Sequence, residues 1–216
     1  MKTFLQLQNT HATDLPAALR DDDVRYPDSL VTHFLHEFTA PGAVVFDPFA
    51  GFGTTLRVAE DLGRAGWGLE WDAARVAYSR AQLQHPQRLL HGDARQLATY
   101  DLPTFDFCMT SPPYMNQGDR ENPFTAYSTA GQGYAAYLAD IQAIYGQIAA
   151  RLQPSGHAVI EVANLRGTHG VTPLAWDVAR AVGAVLPFQG EVVIGWDHYG
   201  YGYDHSYALV FRKPGP

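Results

Sequence analysis

Ala43-Val44-Val45-Phe46-Asp47-Pro48-Phe49-Ala50-Gly51-Phe52-Gly53-Thr54-Thr55 is the stretch whose reading decides the fold. An apolar, β-branched run reads as a short buried strand, and the helical pattern that opens at Thr54 and runs to Leu62 is stopped by Gly63. Gly51 and Gly53 fall in the turn between them, where a missing Cβ lets a ligand approach the backbone and helix N–H groups face it. Glu70 stands about 20 residues further on at the end of the next strand-like run, where a Rossmann-like unit places a carboxylate against ribose hydroxyls. A helix-capping role beside Asp72 is the alternative.

The pattern continues outward in alternation. A helix begins with Asp28 or Ser29 as N-cap; Leu30, Val31, Phe34, Leu35 and Phe38 recur at helical spacing, and Pro41-Gly42 ends it. Strands are predicted at Gly66 to Glu70, Arg88 to Leu90, Phe105 to Thr110 and Ala158 to Val162. Helices are predicted from Asp72 to about Gln84, Tyr134 to Leu152 and Thr172 to Val185. Such alternation implies parallel βαβ units. Glu191 to Trp196 and Ser206 to Phe211 read as a C-terminal antiparallel hairpin around a Gly/Tyr-rich loop. Residues 1–25, with Pro16 and Asp21-Asp22-Asp23, show no sustained period and read as an arm; residues 26–216 form one domain, with no second core-sized segment.

A second unusual segment, Ser111-Pro112-Pro113-Tyr114, follows the apolar run ending at Thr110. Two prolines fix the backbone and deny a sheet its ladder donors, so the strand stops there, at an edge where open α/β sheets place chemistry. The exocyclic amine of a base is a poor nucleophile because its lone pair is delocalised into the ring. Acceptors that draw its hydrogens into a tetrahedral arrangement localise that pair. Ser111 Oγ and a backbone carbonyl of the Pro112-Pro113 turn are such acceptors, and Tyr114 offers a flat face to an extruded base. Asp93, in His91-Gly92-Asp93-Ala94, ends another strand on the same edge, either accepting from an adenine amine or serving as a turn residue.

Together, Asp47 to Thr55 and Ser111 to Tyr114 resemble the paired signature of the S-adenosylmethionine-dependent amino-methyltransferases that modify cytosine N4 or adenine N6 in DNA. The Ser form of the tetrapeptide is typical of the cytosine-N4 branch. The resemblance spans Tyr26 to Phe211, with the cofactor segment before the catalytic one, as in some members. It implies a Rossmann-like class I methyltransferase fold: a mostly parallel seven-stranded sheet, helices on both faces and the C-terminal hairpin. It implies S-adenosylmethionine as cofactor, with Asp47, Pro48, Phe49, Ala50, Gly51, Gly53, Thr54 and Thr55 around its methionine part. Glu70 would meet the ribose, Asp93 and Ala94 the adenine, and Tyr26, Pro27, Asp28 and Ser29 would also touch the cofactor. Ser111, Pro112, Pro113 and Tyr114 would be the catalytic platform, acting on DNA; RNA is the alternative substrate, and a non-catalytic cofactor-binding partner subunit the alternative role. No stretch resembles a large target-recognition domain.

The remaining residues narrow this. With 15 Lys and Arg against 22 Asp and Glu, the net charge of −7 excludes coating of nucleic acid by bulk positive charge. All basic side chains but Lys2 and Lys213 are arginine, which suits a small focused phosphate patch. Cys108 lies inside an apolar run and reads as core rather than as the thiolate of C5 methylation. No secretory leader or membrane-length apolar run is seen and a disulfide within the chain is excluded, so the expected location is cytoplasmic. The long segment Asn116 to Gln132, with Arg120, Phe124, Tyr127 and Gly131, reads as a lid or substrate-contacting loop. Asn116, Arg120, Asn164, Arg166, Tyr203 and His205 are the candidate substrate contacts; the aromatic segment Trp196 to His205 is a candidate clamp, and no metal-ligand spacing is present. A homodimer would add contact area.

Overall fold

The computed structural model describes residues 2–125, 133–167, 170–198 and 203–216. In chain order the elements are β1 (Phe4–Leu7), α1 (Asp28–Phe38), β2 (Val44–Asp47), α2 (Thr54–Asp61), β3 (Ala65–Glu70), α3 (Ala73–Arg80), β4 (Leu89–His91) and β5 (Phe105–Thr110). There follow α4 (Tyr134–Arg151), β6 (Leu152–Val162), β7 (Leu165–Gly167), β8 (Gly170–Thr172), α5 (Leu174–Gly183), β9 (Phe188–Trp196) and β10 (His205–Arg212).

Eight strands form one sheet in the order β1-β9-β10-β6-β5-β2-β3-β4, with only the two pairings of β10 antiparallel. The C-terminal hairpin is therefore present. The expected seven strands become eight because the arm contributes β1, which pairs in parallel with β9 from Phe4↔Val193 to Leu7↔Trp196. Leu5 and Leu7 turn inward there while Phe4 and Gln6 stay exposed, a period-2 pattern too short to stand out alone. A separate ribbon pairs β7 with β8.

The chain builds β2, β3 and β4 outward in one direction, then returns to lay β5 on the other side of β2. The carboxyl ends of β2 and β5 thus flank the point where strand order reverses, the place where open sheets leave a crevice.

Both faces of the sheet are covered. Leu30, Val31, Phe34 and Leu35 of α1 pack with Val58 and Ala59 of α2 on Val45, Val159, Ala208 and Val210; Ile141, Ile144, Tyr145 and Ile148 of α4 pack with α5 on Phe46, Ile160 and Leu209. Each fully buried Phe or Leu contributes about 1.5–3 kcal/mol by leaving water. Phe105 and Phe107, two apart, would share a face in a regular strand. Instead they lie in different cores, because pairing with β6 shifts register between them. Asp106 at the bulge accepts from Val44 N–H at 2.8 Å and so keeps that strand donor satisfied.

Helix termini differ from the sequence expectation, α5 running Leu174–Gly183 rather than Thr172 to Val185. Neither Asp28 nor Ser29 caps α1: Pro27, at φ −73°, precedes Asp28, whose carboxylate turns to Arg57 of α2 at 2.5 Å. Helix α3 stops at Arg80 rather than near Gln84, because the Glu60 carboxylate accepts the N–H groups of Gln84 and His85 at 2.7 and 3.0 Å. Cys108 is fully buried in β5, and burial pushes its thiol well above the usual range.

Candidate active site

Asp47 ends β2 and is only 2% exposed. Its Oδ1 accepts from Thr110 Oγ1 at 2.6 Å and Phe49 N–H at 3.0 Å, and its Oδ2 accepts from Tyr26 Oη at 3.2 Å. Tyr26 Oη is also bonded to Thr55 Oγ1. Burial raises the Asp47 carboxyl to about 6, while the bonds from Thr110, Thr55, Phe49 and Tyr26 oppose the rise. Burial of the hydroxyl beside Asp47 likewise raises Tyr26 well above the usual phenol range. Among the described residues no cationic side chain pairs with Asp47, so the cluster is a buried acidic acceptor that a positively charged ligand group would complete. Tyr26, Asp47, Phe49 and Thr55 thus converge in one hydrogen-bonded cluster. Thr110, which the sequence reading used only as a strand end, ties the end of β5 to the end of β2.

The turn after β2 is left-handed at Gly51 (φ 53°) and Gly53 (φ 79°). At Gly53 the missing Cβ makes room for α3, since an added Cβ would lie 3.0 Å from Ser79 Cβ; at Gly51 it would reach only Phe49 O at 3.9 Å. Pro48 and Ala50 are buried beneath the turn, Thr54 opens α2, and Pro27 is buried where Ser29 is exposed.

Glu70 ends β3 with both oxygens engaged by backbone: Oε2 accepts from Gly51 N–H at 2.7 Å and Oε1 from Asp72 N–H at 2.8 Å. It therefore fixes the turn, with acceptor capacity remaining on each oxygen. Asp72, not Glu70, caps α3, accepting from Arg75 N–H at 2.9 Å. Asp93 accepts from Arg95 N–H at 2.9 Å and is paired with the Arg95 guanidinium at 2.7 Å, while Ala94 is buried behind it. Asp93 lines an open cavity of about 480 Å³ together with Trp71, His91, Gly92, Gln96 and Tyr100, and Glu70 directly precedes Trp71 in the chain. Trp71 is 56% exposed there and accepts at its carbonyl from His91 Nε2, which lies 2.8 Å away. The sequence reading missed Trp71 and Tyr100; an exposed tryptophan directly after the strand-ending carboxylate was the available signal.

Ser111 to Tyr114 leave the end of β5, where it flanks the end of β2. Tyr137 of α4 donates to the Pro113 carbonyl at 3.0 Å, which anchors the turn from below. Among the described residues neither Ser111 Oγ nor the Pro112 carbonyl has a hydrogen-bond partner, so both acceptors remain available. Tyr114 Oη donates to Glu161 at 3.1 Å and accepts from Ala163 N–H at 3.1 Å, which fixes the ring at the ends of β5 and β6. Glu161, 4% exposed, is a further residue the sequence reading passed over, although a carboxylate inside the apolar run Ala158 to Val162 marks it. Phe124 folds back over the site, stacking on Tyr137 at 5.3 Å and leaning on Phe49 at 5.5 Å.

The candidate substrate contacts are less uniform. Asn164 accepts from Ala175 N–H at 3.0 Å and so secures the start of α5. Asn116 donates to Asp119 in a local turn, and Arg120 is exposed. Arg166 lies over the Tyr203 ring at 4.4 Å, and His205 bonds Tyr207 Oη at 3.0 Å. Tyr127 and Gly131 of the long loop, and Tyr199, Gly200, Tyr201 and Gly202 of the aromatic segment, lie outside the described residues. Among those described, no helix is long and apolar enough to cross a membrane.

A family model described as DNA methylase matches residues 7–80, the part that holds Tyr26, the glycine turn and Glu70. Among solved structures, TrmN from Thermus thermophilus is similar at 20% identity and a TM-score of 0.62, over 94% of this chain and 55% of that one. The chain thus spans little more than half of that protein's length. A TehB-like SAM-dependent methyltransferase from Corynebacterium glutamicum is similar at 15% identity and a TM-score of 0.58, over 91% of this chain and 92% of that one. A SAM-dependent methyltransferase from Methanosarcina mazei is similar at 10% identity and a TM-score of 0.58, over 85% and 98%. These likenesses establish the fold as that of the class I methyltransferases.

Proposed function

We propose that this protein is an S-adenosylmethionine-dependent amino-methyltransferase that acts on DNA at the exocyclic N4 of cytosine. One observation carries the reading: among the described residues Ser111 Oγ and the Pro112 carbonyl stand without partners at the end of β5, tied through Thr110 to the buried Asp47 at the end of β2. The acceptor side and the donor side of a two-substrate site are thereby joined by one hydrogen bond of 2.6 Å. The family match over residues 7–80 supports the cofactor half of this reading.

The residues present suit that cofactor. Asp47 lacks a cationic partner among the described residues and would accept the positive charge of the methionine end; the left-handed turn at Gly51 and Gly53 and the Glu70 carboxylate would border the ribose. The cavity beside Trp71, His91 and Asp93 would take the base. When bound, S-adenosylmethionine supplies an electrophilic methyl carbon on a sulfonium. Ser111 and Pro112 would accept the two hydrogens of the cytosine amine and so localise its lone pair, while the fixed ring of Tyr114 would stack the extruded base. The amine proton then leaves to solvent, with no covalent enzyme intermediate.

The test is incubation of DNA, with RNA in parallel, with purified protein and methyl-labelled cofactor, followed by mass spectrometry of the nucleosides. N4-methylcytosine is expected in DNA, and loss of the label with Ser111→Ala. Recovery of only C5-methylcytosine or only N6-methyladenine would overturn the regiochemistry.

A further inference from the structure

The carboxyl edge of the sheet continues beyond β5 to β6 and β10, away from the glycine turn, and there it carries a row of rings that methyl transfer leaves unused. Arg166 lies over Tyr203 at 4.4 Å, Tyr203 meets His205 edge-on at 5.4 Å, and His205 meets Tyr207 edge-on at 5.3 Å. Tyr207 in turn leans on Trp176 at 4.9 Å, and Trp176 is 40% exposed on α5. One turn further along α5 the Arg180 side chain is 82% exposed. Tyr207 sits opposite Val162 at the end of β6, and β6 is the strand beside β5. Two strand spacings, about 10 Å, therefore separate the row from the Ser-Pro-Pro-Tyr strand.

We propose that this row is the docking strip for an unpaired DNA strand, holding nucleotides next to the target cytosine. The inference rests on the reading above and adds the strandedness of its substrate. Aromatic faces interleaved with guanidinium groups are the chemistry that binds single strands, because every base has a face to stack and a phosphate to pair. Two of the ring pairs are edge-on and Trp176 is tilted at 54° to Tyr207, so the exposed Trp176 ring offers the face for a base to stack on, while Arg166 already covers Tyr203. In a duplex those base faces are covered by their neighbours, leaving only phosphates. Two arginines on a chain of net charge −7 hold a phosphate lattice weakly. Asp204 is exposed within the row, and Asp177 is engaged by Tyr134 at 3.0 Å and by Arg180 at 3.5 Å.

The test is fluorescence anisotropy with the full-length protein and a short labelled cytosine-containing DNA strand, its duplex, and RNA of the same sequence. The single strand of DNA is expected to bind about tenfold more tightly than the duplex. Trp176→Ala and Arg166→Ala should each weaken it roughly five- to tenfold, and Trp176→Phe should recover most of the loss. Unchanged S-adenosylhomocysteine affinity by calorimetry would show that the variants keep their crevice; Arg166→Ala, on the surface ribbon, carries the test should Trp176→Ala misfold. Duplex binding as tight as the single strand, RNA preferred to DNA, or alanine variants within about twofold of wild type would each overturn the proposal. Product analysis keeps the two readings apart. Strip-dependent binding of single strands with methyl groups on the wrong atom would overturn the cytosine-N4 reading alone, whereas N4 methylation indifferent to Trp176 and Arg166 would overturn the strip alone.

Discussion

Lowering the pH from 8 to 5 should weaken S-adenosylmethionine binding about tenfold through one group, Asp47. Its carboxyl is raised from 3.8 to about 6, burial being the largest cause. The folded value lies above the unfolded one, so the stability that Asp47 contributes is full below about 3.8 and is lost as pH rises through about 6. That loss is on the order of 3 kcal/mol. A cationic ligand group needs the ionised form and restores part of it. With a carboxyl near 6, only about one molecule in eleven is competent at pH 5 and nearly all are at pH 8, and apparent affinity scales with that fraction. Titration calorimetry across this range, in two buffers of different ionisation enthalpy, should show the affinity change and the release of about half a proton on binding at pH 6. Asp47→Asn should flatten the profile. Affinity that is level from pH 5 to 8 in the wild type, or an Asp47→Asn variant with the same slope, would refute the reasoning.

Three other outcomes are expected. Tyr114→Phe keeps the ring but removes the hydroxyl that Glu161 and Ala163 share; kcat should fall with KM nearly unchanged, and thermal unfolding should show a loss of about 1–3 kcal/mol from unsatisfied buried groups. Among the described residues Tyr145 Oη is buried without a hydrogen-bond partner, so Tyr145→Phe should leave stability unchanged or raise it by about 1 kcal/mol in a urea titration; a clear loss would mean that the hydroxyl is satisfied. Gly53→Ala imposes a left-handed conformation on alanine and a contact of 3.0 Å with Ser79; it should cost about 1–3 kcal/mol and weaken cofactor binding, both read from melting curves with and without ligand.

Much of the architecture was legible because it is written in local periods. The 3.6-residue spacing of Leu30, Val31, Phe34 and Leu35, the apolar runs at Val44 to Phe46 and Phe105 to Thr110, and the breakers between them locate helices and strands. The same logic put Asp47, Glu70, Asp93 and Ser111 at strand ends, and all four lie along one sheet edge in the structure. The legibility fades where a residue's role depends on a distant partner. Asp28 reads as a cap until Arg57 draws it away, and Asn164 reads as a substrate contact until the start of α5 claims its carbonyl. Asp93 reads as a free acceptor until Arg95 pairs with it.

By itself, then, the sequence determined the alternating α/β order, the two punctuated turns and the residue types gathered at the strand ends, because propensity, period and turn chemistry act over a few neighbours. Only the tertiary structure decided that β1 joins β9, that a bulge at Asp106 sends Phe105 and Phe107 to different cores, and that Thr110 reaches Asp47. It also decided that Trp176 lies beside the β10 rings. Those contacts span tens of residues and depend on strand order and register, which no local pattern encodes.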